Sequence, residues 1–221
     1  MIPELDELYH PRRVVLSEFG DGVLRAIVTC ITQSYAQAYD ACYQDYAKDE
    51  AHDLLPYMRR AELHRSLQRA LRPYPQVRVT SQATEHHNSH HLCIETDRVL
   101  LTLSKVRSPG EMVHRAAYRE QYARDNQLDF FQRDDEPVLH GRLYAVVLHG
   151  HDPLHPERLA FLRIVFPNQA FTHYHDESID LLQRFPDLVT PEEPEPVPQE
   201  PISKPPPMTL KTILKTEEVA S

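Results

Sequence analysis

Residues 63–79 read Leu-His-Arg-Ser-Leu-Gln-Arg-Ala-Leu-Arg-Pro-Tyr-Pro-Gln-Val-Arg-Val, and the hydrophobic period changes within them. Leu63, Leu67, Ala70 and Leu71 stand three, four or one apart, as on one face of a helix. Val77 and Val79 alternate with polar residues, as in a strand. Pro73 and Pro75 separate the two regimes, because proline removes a backbone donor and clashes with the preceding helical turn. A chain that is helical up to this point and two-periodic after it belongs to the α+β class.

Upstream, from Asp21 to about Tyr46, Leu24, Val28, Ile31, Tyr35, Ala38, Cys42 and Tyr46 recur at spacings of three and four, which predicts a long amphipathic helix with Asp21 as its N-cap. Tyr35, Tyr39, Tyr43 and Tyr46 make this helix tyrosine-rich, and core packing is the expected role. Pro56 suits the first turn of a second helix, where its missing N–H is no loss. Downstream, Leu92 with Ile94, Val99 to Lys105, Arg142 to His149 and Leu159 to Phe166 add four strands to the one at Val77–Val79. Glu95-Thr96-Asp97-Arg98 reads as a hairpin turn, Glu111 to Leu128 as a helix and Glu177 to Arg184 as a short helix. The expected fold is therefore α+β, with N-terminal helices packed on a mainly antiparallel five-stranded sheet.

Nine of the nineteen prolines fall between Pro186 and Pro207, interleaved with Glu192, Glu193, Glu195 and Glu200. Such a segment cannot bury a core and reads as a disordered linker. Apolar residues return at Leu210, Ile213 and Leu214, a spacing suited to a short helix that folds on docking to a partner. The organisation is thus a single domain over residues 14–186, an acidic proline-rich linker over 187–207 and a docking segment over 208–221.

Of the 221 residues 41% are hydrophobic and 26% charged, enough for a real core. The N-terminus lacks the basic and apolar regions of a secretory signal, and no apolar run approaches the ~20 residues that span a bilayer. A soluble, cytoplasmic protein with no membrane association is expected. Cys30, Cys42 and Cys93 have no CxxC spacing and read as buried thiols.

The net charge of −9 conceals a division. Residues 1–54 hold 4 basic and 10 acidic side chains, residues 55–124 hold 12 and 6, and residues 125–221 hold 8 and 17. Fields act over roughly a Debye length, ~8–10 Å, so the basic middle can attract an anion within an acidic protein. Arg59, Arg60, Arg65, Arg69 and Arg72 concentrate this charge on the second helix, and Arg78, Lys105, Arg107, Arg115 and Arg119 could join them in one surface if that helix and the Glu111 helix share a side of the sheet. Guanidinium groups bind phosphate bidentately, which makes the five arginines of the second helix candidate nucleic-acid contacts.

Fourteen histidines raise the question of a metal. Four stand together in Glu85-His86-His87-Asn88-Ser89-His90-His91, where a solvated loop is expected. His149-Gly150-His151 ends an apolar strand, and His173-Tyr174-His175 repeats the H-x-H spacing. Together His149, His151, His173 and His175 could supply four imidazoles to a divalent ion if the fold joined them. The H-x-H-x-D-H pattern of metallo-β-lactamase-like hydrolases is not met, since Asp152 follows directly on His151. The acid-x-Lys element of PD-(D/E)xK nucleases fails too, because Leu103 stands two before Lys105. No phosphate-cradling glycine loop and no G-x-S-x-G elbow occurs.

The sequence thus points first to a non-enzymatic cytosolic interaction or regulatory protein without a cofactor, binding a protein partner through its folded domain and through Leu210, Ile213 and Leu214. One component of a bacterial toxin–antitoxin or defence pair would suit that design. The alternatives are a nucleic-acid-binding protein using the arginine face and a metal-dependent hydrolase or nuclease using the clustered histidines.

Overall fold

The computed structural model describes residues 10–84, 90–126 and 142–188. Two helices, α1 (Pro11–Asp45) and α2 (Lys48–Ala70), are followed by strands β1 (Arg78–Ala83), β2 (His90–Glu95) and β3 (Val99–Lys105). Helix α3 (Ala117–Asn126) precedes β4 (Leu143–His151), β5 (Leu159–Pro167) and β6 (Tyr174–Asp180), and the single turn α4 (Leu181–Arg184) leads into a 3₁₀ turn at Pro186–Leu188. The α+β class holds. The sheet has six strands in sequential order, not five.

The sixth strand arises where a helix was expected to begin. β6 pairs antiparallel with β5, Ile164 facing Ile179, and the helical turn starts only at Leu181. Ile179 is the strand's single buried residue, so a polar edge strand running directly into Leu181 and Leu182 mimics the spacing of a short helix. Asp180 marks the junction: its carboxylate accepts from the backbone N–H groups of Leu182 and Gln183 at 3.1 Å, an N-cap.

All pairings are antiparallel except β3 with β4, which run parallel with Val99 opposite Leu143 and Lys105 opposite His149. A parallel neighbour requires a crossover, and the crossover places α3 on the face opposite the N-terminal helices. β4 is consequently buried on both faces, which explains its uninterrupted run Leu-Tyr-Ala-Val-Val-Leu. Leu143, Ala145 and Val147 join the core beneath α1 and α2, whereas Tyr144, Val146 and Leu148 join the core beneath α3.

Both long helices start earlier than their patterns suggest. α1 begins at Pro11 and bends at Gly20, whose φ of 61° is a left-handed value that glycine adopts without a Cβ clash. Asp21 follows this bend rather than opening the helix, and its carboxylate binds Arg184 at 2.8 Å instead of capping. α2 begins at Lys48, so Pro56 lies inside it. α3 starts later than expected, at Ala117, and Leu128 lies outside the described residues. The folded body reaches Leu188, whose side chain packs on the core, and Asp187 pairs with Arg25 at 2.6 Å. No described helix is long and apolar enough to cross a membrane. Residues 189–221, with Leu210, Ile213 and Leu214, lie outside the described residues.

Candidate functional site

The buried stripe of α2 is Ala51, Leu55, Arg59, Leu63 and Leu67, one residue every four. Four members are apolar and the fifth is arginine. Arg59 is 4% exposed, and its guanidinium lies 4.8 Å over the ring of Tyr35 while donating from Nη2 to the Pro156 carbonyl. Its Nε has no hydrogen-bond partner, and no carboxylate pairs with it among the described residues. Burying an unpaired charge costs several kcal/mol. The cation–π contact returns about 2 kcal/mol when desolvated and the charged hydrogen bond ~1.5–3.

Arg59 lines a cleft of about 470 Å³ at the end of the sheet where β2 begins and β3 and β4 end. The parallel pairing brings Lys105 and His149 side by side there. The backbone N–H of Val106 donates to the His149 carbonyl at 3.1 Å, extending the pairing one residue past the strand. Behind His149, Gly150 admits the Phe161 ring so closely that a Cβ would come within 2.4 Å of it and 2.9 Å of the Val106 carbonyl oxygen.

His149 is 5% exposed, and its Nδ1 lies 2.7 Å from the buried Tyr35 hydroxyl. A buried hydroxyl needs an acceptor, and Nδ1 supplies it, which leaves the proton of the neutral ring on Nε2. Burial first, and then the charges of Lys105 and Arg59, hold the imidazole neutral down to about pH 3. Tyr35 is thus a core residue, as its place on the α1 stripe implies, with a polar end that fixes the orientation of His149.

The cleft's remaining cations are Arg60, Lys105 and Arg119. Arg60 donates to the His90 carbonyl at 3.0 Å, and Arg119 to the His114 carbonyl at 2.7 Å and to Ser104 Oγ at 3.1 Å. Arg119 Nε is buried without a partner. Lys105 is held below the usual lysine range by burial and then by Arg59. His91 stacks on Tyr118 at 3.7 Å, and burial followed by the charge of Arg119 lowers its pKa to about 4. Four cations therefore line one cleft, none of its described lining residues is acidic, and none of the four forms an ion pair with a described carboxylate. The arrangement concentrates positive potential in the cleft.

The five arginines of the presumed face divide. Arg59 and Arg60 reach the cleft, whereas Arg65 chelates Glu62 at 2.5 and 3.1 Å. Arg69 and Arg72 are exposed and do not line the cleft. The four metal-candidate histidines are likewise not gathered. His149 is opposite Leu162 on β5, while His175 lies near the other end of β5, where Pro167 pairs with Tyr174. From strand rise and spacing the two are on the order of 15 Å apart. His173 and His175 are neighbours, with ring centroids 6.0 Å apart, and His151 is half-buried. Among the described residues no three His, Cys, Asp or Glu side chains converge as a metal centre requires. Residues 85–89, with His86 and His87, lie outside the described residues.

Lys105 and Arg119 meet Arg59 and Arg60 as the basic middle suggested, but α2 and α3 pack on opposite faces of the sheet and meet only at its end, and nothing in the sequence placed His91 and Tyr35 beside these cations. A usable signal existed for Arg59: a charged residue at the centre of an apolar i, i+4 row. No family model, curated protein or solved structure matches the chain, so the cleft itself carries the functional reading.

Proposed function

We propose that the folded body is a non-enzymatic binding module that takes a phosphate-bearing ligand in the cleft between α2, α3 and the ends of β2, β3 and β4. The observation that carries the reading is Arg59, a buried guanidinium without a carboxylate in a cleft whose described lining holds three further cations and no acid. A fixed, dry positive charge binds an anion more strongly than a solvated one, because the cost of stripping its water is met during folding. Neutral His149 adds a donor at Nε2 without adding charge. This reading keeps the regulatory interaction protein inferred from the sequence, and it relocates the anion contact from the whole arginine face to Arg59 and Arg60. Capture of a protein partner by residues 208–221 remains a separate proposal resting on sequence alone.

Isothermal titration of the full-length protein with inorganic phosphate tests it. Binding should weaken as salt rises, because ions screen the approach. Arg59→Met should weaken it about 10- to 100-fold, the equivalent of one charged hydrogen bond. Phosphate binding that is absent at low salt, or unchanged in Arg59→Met, would refute the reading.

A further inference from the structure

We propose that the ligand of the cleft is a 5′-phosphorylated nucleotide, free or at the end of a strand, with its phosphate among Arg59, Lys105 and Arg119 and its base against Tyr57. This rests on the phosphate-binding reading above and narrows it to one chemical class.

Charge selects the anion. A carboxylate or a phosphodiester brings one negative charge to four cations, whereas a phosphate monoester brings about −1.5 to −2 and three acceptor oxygens. Guanidinium forks match those oxygens in pairs, and two arginines line the cleft on opposite sides of the sheet, Arg59 from α2 and Arg119 from α3. Both keep a buried Nε without a partner.

Volume and lining select the rest of the molecule. A cleft of about 470 Å³ is far larger than one phosphate and lies within the range of small-ligand sites, ~300–1,000 Å³. Beyond the cations, and beside histidines that include His91 and His149, its walls include Pro56, Leu63, Leu92 and Leu103 and the rings of Tyr57 and Tyr118. Tyr57 is 72% exposed, a large flat ring held at the mouth with no described partner. Such a ring stacks on a base whatever the sequence. The polar edge of a base also meets a need already in the structure: His91 Nδ1 is buried and unpartnered beside this wall, and an aliphatic phosphate would leave it so.

Full-length protein is titrated with inorganic phosphate, ribose 5-phosphate, adenosine, AMP and UMP, and with hexanucleotides bearing a 5′-phosphate or a 5′-hydroxyl. AMP or UMP should bind about tenfold more tightly than ribose 5-phosphate, the gain of one base stacked on an aromatic ring. Tyr57→Ala should remove that gain and leave ribose 5-phosphate binding unchanged; because the side chain is exposed, the variant folds. A 5′-phosphorylated hexamer equal to AMP, with the 5′-hydroxyl form weaker, places the nucleotide at a strand end, and a weaker phosphorylated hexamer places it free. Equal binding of ribose 5-phosphate and AMP overturns the nucleotide assignment while leaving the phosphate site standing, and adenosine as tight as AMP overturns it from the other side. If inorganic phosphate also fails to bind, the underlying reading fails with it.

Discussion

Replacing Arg59 by methionine should stabilise the unliganded protein while weakening its phosphate binding, and the two effects together separate a binding residue from a structural one. The guanidinium occupies an apolar row between Leu55 and Leu63 and is 4% exposed. Its desolvation costs several kcal/mol, against which the Tyr35 ring returns about 2 and the Pro156 carbonyl ~1.5–3. Methionine has nearly the same reach, adapts to irregular space and brings no charge. Its burial adds ~1.5–3 kcal/mol of apolar transfer, and the freed Pro156 carbonyl sits in a half-buried loop that water can reach. The net expectation for Arg59→Met is a gain of about 1–3 kcal/mol, inside the ~1–4 found when buried ionic groups are replaced by apolar ones. For a body of this size that raises Tm by roughly 2–4 °C per kcal/mol. Urea unfolding followed by circular dichroism reads it as a higher midpoint with unchanged slope. The same saturating phosphate concentration should then stabilise the wild type by about 1.4–2.7 kcal/mol more than Arg59→Met, read as a larger rise in midpoint and equivalent to the 10- to 100-fold weaker binding. A variant destabilised by more than about 1 kcal/mol, on a scale where most core substitutions cost 0.5–3, would show that Arg59 serves as a structural staple, and the functional reading would lose its main support.

Other sites give independent checks. His149 is protonated near pH 6.5 when unfolded but only near pH 3 when folded, so between these values the unfolded state holds the extra proton and stability falls as pH falls, by about 1.4 kcal/mol per unit. Urea midpoints at pH 7 and pH 5 should therefore differ more in the wild type than in His149→Gln; parallel profiles would refute the buried neutral assignment. Gly150→Ala should cost about 1–3 kcal/mol by overpacking, because the new Cβ meets both the Phe161 ring and the Val106 carbonyl oxygen, and thermal melting at wild-type Tm would contradict that geometry. Glu95, 5% exposed, accepts from Arg78, Arg142 and Thr80 at 2.7, 2.5 and 3.1 Å; burial opposes its ionisation, but these bonds outweigh it and lower its pKa. Glu95→Ala should cost about 1–3 kcal/mol in urea unfolding, below the ~3–5 of a fully buried pair because both arginines keep contact with water.

Much of the fold is legible in short-range pattern, and the errors have local causes. The alternation of Val99, Leu101 and Leu103 and the stripe from Leu24 to Cys42 each report one buried face, and each is buried or half-buried as expected. β6 escapes because it buries only Ile179, and a strand with one core residue leaves no alternation to read. The start of α2 is misplaced because proline is most at home in a first turn. Here, with eight helical residues before it, Pro56 costs the helix one backbone bond eight residues in, while Ala51 and Leu55 already anchor the preceding turns. The parallel β3–β4 pair could not be read at all, since strand direction depends on the path of residues 106–142 and not on any side-chain period.

That one unreadable feature decides the site. Were β3 and β4 joined by a hairpin, Lys105 would lie beside the start of β4 and His149 at the opposite end of the sheet. Because they run parallel, both strands deliver their last residues to the same end, and the crossover that makes them parallel carries α3, with Tyr118 and Arg119, to the other side of that end. β2, antiparallel to β3, starts there with His90 and His91. The cleft is thus the product of topology acting on residues that are far apart in sequence. An arginine face on one helix is a one-dimensional reading of the charge. The structure divides that face, giving Arg65 to Glu62 and Arg59 to the cleft, and brings Lys105 from β3 and Arg119 from α3 to join it. The +6 of residues 55–124 was therefore a correct sign of where charge accumulates, but the concentrating step, three elements converging on one sheet end, belongs to the fold. A lone exposed arginine in water repels a neighbouring cation weakly. In a partly dry cleft burial is the first cause that keeps His91 and His149 neutral, the charge of Arg119 on His91 and those of Lys105 and Arg59 on His149 add to it, and that positive field draws an anion in.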